Sequence, residues 1–170
     1  EMKYVHWKLY NSGWLELNYS YELAGQFNYT SVSFDYPEDF VLGAKWLGKG
    51  PGRVWKNRSH GGSLNVWENA YNNTTTGYSP WIYPEFKGYL SEITWLELNT
   101  VEGKILMATK NHDLYIRLFD FYGLPGVNPH PELPPGNLSF LEHIPPTGTK
   151  MSTRINAQPE VLGPQSQKNQ

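Results

Sequence analysis

Cysteine is absent from the 170 residues. Disulfides and thiolate-held metals are therefore excluded, and the fold must close by burial and backbone pairing alone, although the redox compartment stays open. The five histidines (His6, His60, His112, His130 and His143) fall at no spacing that a metal site uses, and neither a nucleophile elbow nor a phosphate-cradling glycine loop occurs. No metal, no cofactor and no visible catalytic centre are expected. Long apolar runs are lacking too. None approaches the roughly 18 residues of a membrane-spanning helix, and the N-terminus carries no charged-then-apolar leader, so no membrane insertion is expected. The chain opens on Glu1 rather than Met, which reads as a piece of a longer polypeptide or a processed product. An excess of one charge is also missing. Fourteen basic and 16 acidic residues leave a net charge of -2, spread along the chain with no basic stripe for a nucleic-acid backbone. Sustained helical periodicity is absent as well; only Phe140 to Ile144 reads as one helical turn.

What is present is aromatic: 7 Trp, 12 Tyr and 7 Phe, beside 16 Gly and 13 Pro. Aromatic side chains suit half-buried strands, and the turn formers punctuate them, so the expected class is an all-β antiparallel sandwich. The clearest strand is Leu15 to Leu23. Leu15, Leu17, Tyr19, Tyr21 and Leu23 alternate with Glu16, Asn18, Ser20 and Glu22, which predicts one buried and one wet face. The turn signal Asn11-Ser12-Gly13 couples it to Tyr4–Leu9 as a hairpin. Val32, Phe34 and Tyr36 alternate with Ser31, Ser33 and Asp35 until Pro37 ends the run. Phe40 to Leu47, Leu64 with Val66, Ile93 to Thr100, Lys104 to Thr109 and Asp113 to Phe119 complete the strand list, with Val101-Glu102-Gly103 as a turn. From Tyr122 onward, prolines such as Pro125, Pro129, Pro134, Pro145 and Pro159 predict long extended connections over the surface. The expected organisation is one domain over residues 1–163 and a polar tail over 164–170.

Two segments stand out as recognition candidates. GPGRVWKNR, residues 50–58, follows an expected strand. Its glycines and Pro51 predict a shaped loop that presents Trp55 among Arg53, Lys56 and Arg58, or else folds Trp55 back onto the sandwich edge. YSPWIYPEFKGY, Tyr78 to Tyr89, places Trp81, Tyr83 and Phe86 beside Glu85 and Lys87. That mixture suits a sugar, whose apolar face lies on an aromatic ring while its hydroxyls reach charged and amide groups; packing of the same rings into a core is the competing reading. Glycoside hydrolysis would need two carboxylates roughly 5 to 9.5 Å apart. The acids Glu16, Glu22, Glu68, Glu85, Glu92 and Glu97 mostly occupy polar-face positions, where solvation accounts for them.

The segments LGKGPGRVWKNR (Leu47 to Arg58), YPEFKGY (Tyr83 to Tyr89) and LGPQSQKN (Leu162 to Asn169) together resemble, in order, the C-terminal β-sandwich domain of family 2 glycoside hydrolases of the β-galactosidase type. The resemblance implies a galactose-mutarotase-like supersandwich. It also implies an accessory domain that packs beside a catalytic barrel of the same polypeptide and borders a galactoside or related glycan. The barrel would carry the catalytic glutamates, and at 170 residues this chain is too short for a barrel of about 250. The same resemblance points to Trp55, Asn57, Arg58, Trp81, Tyr83, Glu85, Lys87 and Tyr89 as carbohydrate-binding or cleft-edge residues, and to a periplasmic or secreted setting. Asn57 stands where the family pattern has Asp, and Tyr89 where an Arg is common. The alternatives are an autonomous carbohydrate-binding module, with Trp67, Trp81 and Tyr83 as its stacking platform, and a sugar epimerase on the same scaffold.

Overall fold

Period-two sequence becomes strand throughout. The computed structural model describes residues 1–70, 88–119 and 134–147. β1 (Met2–Leu9) and β2 (Leu15–Tyr21) form an antiparallel hairpin in which Trp7 faces Leu17 and Leu9 faces Leu15. Gly13, at φ 87°, takes the left-handed conformation that the turn requires, and the Tyr10 N–H donates to the Trp14 carbonyl across it at 2.9 Å. β3 (Thr30–Phe34) ends before Pro37. A single 3-10 turn, Glu38–Phe40, then leads into β4 (Val41–Val54), followed by β5 (Ser63–Ala70), β6 (Tyr89–Thr100), β7 (Gly103–Ala108), β8 (Tyr115–Leu118) and β9 (Leu138–His143).

The hairpin is a sheet of its own. The other strands form one antiparallel sheet in the order β3-β9-β8-β6-β4-β5, with β7 also on β6. That sheet doubles over at β6. Near its start β6 pairs with β8 through Leu90 and Ile116; further on it pairs with β4 and β7, from Trp95 to Thr100. Between these halves β6 advances from Ser91 to Trp95 while β4 advances only from Lys49 to Leu47. The extra residues form a bulge in which Glu92 takes φ 52°, and a bulge is what bends a strand and re-aims it. The result is an antiparallel β-sandwich with β3-β9-β8 in one layer and β5-β4-β6-β7 in the other. Between them Ala44, Trp46, Ile93, Leu96 and Leu98 meet Ile116, Leu118, Phe119 and Leu138 in the main core.

A second core cluster lies on the other face of the β3-β9-β8 layer, where Val54, Trp55, Tyr89, Leu141 and Ile144 pack with Tyr29 and Tyr115. Position in the ladder explains it. Ile116 faces Phe140 in one row and Tyr115 faces Leu141 in the next, and adjacent rows point to opposite faces. In the row beyond Ile116, on the same face as Tyr115 and Leu141, Arg117 sits opposite Ser139, and Ser139 opposite Ser33. The buried guanidinium donates to Ser139 Oγ at 3.2 Å and to the Gly136 carbonyl, and Ser33 Oγ donates to Ser139 Oγ at 2.9 Å.

Three sequence-based expectations are corrected. Phe140 to Ile144 is not a helical turn: most of it is β9, which has partners on both sides in β3 and β8. Residues 50–54 are not a loop but the end of β4, entered through a cis Gly50–Pro51 peptide. Finally, Leu15, Val5, Trp7 and Leu9 of the hairpin remain substantially exposed, with Leu9 at 74 %. Of the β2 face predicted to be buried, Leu15 and Leu23 are exposed, while Leu17, Tyr19 and Tyr21 are half-buried.

Candidate functional site

Glycine governs the approach to Trp55. In β4, Gly48 and Gly50 face inward, where added β-carbons would sit 2.6 Å from Ile93 and 2.7 Å from the Trp67 indole. The strand continues to Val54, and Trp55 and Arg58 then exchange backbone hydrogen bonds of 3.1 and 2.8 Å around a two-residue turn at Lys56-Asn57. The turn is bolted to the chain after β9. Lys56 N–H donates to the Pro145 carbonyl at 3.1 Å. The Asn57 side chain donates to the Thr147 carbonyl at 2.8 Å and accepts the Thr147 N–H at 2.9 Å. Partial burial lowers the pKa of the Lys56 ammonium.

This arrangement places the candidate residues as follows. Trp55 is 1 % exposed and Tyr89 is 0 % exposed, with their rings edge to face at 5.2 Å. Each fills the second core cluster, and neither offers a ring face to a ligand. Of the two readings of residues 50–58, the inward fold of Trp55 is the one realised. The reason is local: Val54 and Trp55 meet the Leu141 side of β9, and Gly88 lets β6 enter so close that a β-carbon there would lie 2.4 Å from the Val54 carbonyl oxygen. Trp55 Nε1 and Thr147 Oγ1 are buried without a hydrogen-bond partner among the described residues. Asn57 is half-buried and committed to Thr147, while Arg58 stands exposed. Trp81, Tyr83, Glu85 and Lys87 lie outside the described residues, as does the 164–170 tail.

Among the described residues, the acids considered for glycoside chemistry are paired with lysines. Glu22 pairs with Lys3 at 2.6 Å, Glu68 with Lys45 at 3.3 Å, Glu97 with Lys104 at 2.9 Å, Glu92 with Lys49 and Glu16 with Lys110. Lys110, then the Tyr10 hydroxyl 2.5 Å away, hold the Glu16 carboxyl at about 2 against an ordinary 4.5. No group of three or more metal-ligating side chains is assembled among the described residues.

Two surfaces leave apolar and aromatic side chains partly open, and sequence reasoning missed both. One is the hairpin with the groove beneath it. Trp7 meets Phe34 edge to face at 6.2 Å, and the Tyr21 hydroxyl donates to the Glu142 carboxylate and lies 3.2 Å from Thr30 Oγ1. Beside these contacts opens a groove of about 630 Å³ lined by Met2, Tyr21, Leu23, Tyr29, Ser31 and Asp35, among others. Burial raises the Tyr19 and Tyr21 phenols to about 12, with the Glu142 carboxylate adding to the effect. The second is the outward face of β5-β4-β6-β7, where Val66, Leu47, Trp95 and Ala108 stand in register across four strands. Sequence alternation marks each of these side chains as belonging to one face or the other, but only the register aligns them. No protein-family model, curated protein or solved structure matches the chain.

Proposed function

We propose that the chain is a non-catalytic accessory β-sandwich of a family 2 glycoside hydrolase of the β-galactosidase type, seated beside the catalytic barrel and in contact with the glycan that the enzyme processes. The observation that carries this reading is the uncovered hairpin. Met2, Val5, Trp7, Leu9, Trp14 and Leu15 remain 47 to 74 % exposed, in a chain whose two core clusters are filled by other residues. Contiguous apolar surface of this kind marks an interaction face, because leaving it wet forfeits the burial free energy of about 1.5–3 kcal/mol for each large side chain. A neighbouring domain is the occupant that the resemblance of Leu47–Arg58 and Tyr83–Tyr89 to the family supplies. The sandwich would then serve as a rigid support, with its loops and sheet faces rather than its interior meeting carbohydrate.

The test is association in solution. The chain is mixed with a family 2 catalytic barrel from the same genome, produced without its terminal sandwich, and the mass of the mixture is read by light scattering. A one-to-one complex is expected, lost in the triple variant Leu9→Ser, Trp14→Ser, Leu15→Ser, whose own melting temperature stays near that of the parent because those side chains lie at the turn end of the hairpin, 47 to 74 % exposed. Absence of a complex, or a complex indifferent to the triple variant, rejects the docking face. Release of nitrophenol from a nitrophenyl β-galactoside by the chain alone rejects the non-catalytic assignment.

A further inference from the structure

We infer that the outward face of the β5-β4-β6-β7 layer is a binding platform for a neutral oligosaccharide, centred on Trp95. The inference rests on the carbohydrate part of the reading above but on a different surface from the hairpin.

The geometry follows from register. Val66 pairs with Leu47, Leu47 with Trp95, and Trp95 with Ala108, so these four side chains form one row across the sheet. At the usual spacing between strands of about 4.8 Å, such a row runs roughly 14 Å. Alternation puts it on the outside: next to Trp95 in β6, Leu96 is buried in the main core, as is Trp46 beside Leu47 in β4. Trp95 and Leu47 are half-buried, while Val66 at 46 %, Leu64 at 64 % and Leu106 at 48 % remain exposed. The centre of the row is thus anchored in the sheet and its ends are wet. Neither an ion pair nor a hydrogen bond ties down the Trp95 side chain among the described residues.

The flanking charges decide the ligand class. The adjacent row reads Glu68, Lys45, Glu97 and Leu106 across the same four strands, with Lys104 paired to Glu97 and, on the other side of Trp95, Lys49 paired to Glu92. Three acids and three lysines cancel. A polyanion such as nucleic acid would find no excess positive charge to replace its counterions, and a charged peptide would find no complementary patch. The pairs nonetheless leave unused carboxylate lone pairs and ammonium protons at the rim, both donors and acceptors, around an apolar aromatic centre. A neutral ring with one apolar face and hydroxyls around its edge matches that arrangement: the face lies on the indole, and the hydroxyls reach Glu97, Lys45 and Lys49.

The full chain carries 7 Trp, so an NMR spectrum of its nitrogen-15-labelled indoles reports each ring separately, with Trp95 assigned from the Trp95→Phe variant. Titration with β-1,4-galactotetraose and with cellotetraose is expected to move the Trp95 indole signal saturably for at least one of the two. Trp95→Ala should weaken that binding about tenfold or more, as truncation of a central aromatic anchor does. Because Trp95→Ala could disturb folding, Val66→Lys is the second variant: its site is exposed at the sheet edge, and a lysine there should weaken binding without lowering the melting temperature. The platform is overturned if neither sugar moves the Trp95 signal, or if the shifts fall on other indoles while Trp95 stays fixed. It is also overturned if Val66→Lys binds as the parent does. Equal affinity for the charged tetragalacturonate overturns the neutral-ligand assignment. A failed platform leaves hairpin docking standing, and a failed docking experiment leaves the platform standing, so the two outcomes remain separable.

Discussion

Asn57 and Asn137 do the same job at two places. Each is a short amide that donates and accepts at once across a gap in the chain. Asn57 holds both backbone groups of Thr147, at 2.8 and 2.9 Å; Asn137 accepts the Tyr36 N–H at 2.8 Å and donates to the Tyr36 carbonyl at 2.5 Å. An amide does both, whereas an ionised carboxylate accepts without donating. Asn rather than Asp at position 57 therefore has a structural meaning. Asn57→Asp keeps the bond from the Thr147 N–H but removes the donor to its carbonyl and sets two oxygens against each other. The expected loss is about 1–3 kcal/mol, read as a lower urea midpoint at unchanged slope. Arg58→Ala, one residue on but exposed, should shift stability by no more than about 0.5 kcal/mol. If Asn57→Asp proves as neutral as Arg58→Ala, the clamp is not what secures the Trp55 turn.

At the scale of elements, the hairpin is held by polar ties whose protonation sets a pH window. The folded pKa of Glu16 is depressed to about 2 from 4.5, chiefly by its bond to Lys110. The stability it contributes is therefore complete above about 4.5 and disappears as pH falls toward 2. Tyr19 and Tyr21 lie on the other side. Their folded values are raised from 10 to about 12 by burial, so their contribution is present below pH 10 and lost as pH climbs toward 12. The hairpin should loosen first at both extremes. Carbon NMR of the Glu16 carboxyl should place its midpoint near 2, moving toward 4.5 in Lys110→Met, and the late-titrating tyrosinate absorbance should shrink in Tyr19→Phe and in Tyr21→Phe. A Glu16 midpoint at 4.5 in the parent would break the tie between β2 and the end of β7. Which strands exist was legible in the sequence, because alternation such as Val32, Phe34 against Ser31, Ser33 needs no tertiary information. Leu138–His143 was not, because Leu, Glu and His suit a short helix as readily as a strand and only ladders from both β3 and β8 decide the matter. Residues 50–54 were misread as a loop for a related reason: glycines at 48, 50 and 52 signal turns in isolation, but in β4 two of them make room for Ile93 and Trp67. Trp95 escaped notice because a platform is a property of the register across four strands, not of any one segment.

On the scale of the whole molecule, the same topology predicts a hierarchy of stability. β4 and β6 are hydrogen-bonded to each other and to further strands on their other sides, and Ile93, Leu96 and Leu98 are completely buried. Their amides can exchange only when the sandwich opens. β1 and β2 pair only with each other among the described strands, and a two-stranded ribbon by itself is marginal in water. Its amides should exchange by local detachment from Phe34, Glu142 and Lys110, about tenfold faster or more than those of β6. Hydrogen exchange followed by mass spectrometry resolves the two rates. If they are equal, the hairpin and sandwich open as one unit, and the exposed apolar face is then an integral part of the fold rather than a surface awaiting cover. If they differ, the partner can be read from the same measurement: a domain seated on Trp7, Leu9 and Leu15 should slow exchange in β1 and β2 toward the β6 rate. A sugar on the Trp95 platform should instead leave the hairpin rate unchanged, because the platform row lies on β5, β4, β6 and β7 and includes no hairpin residue.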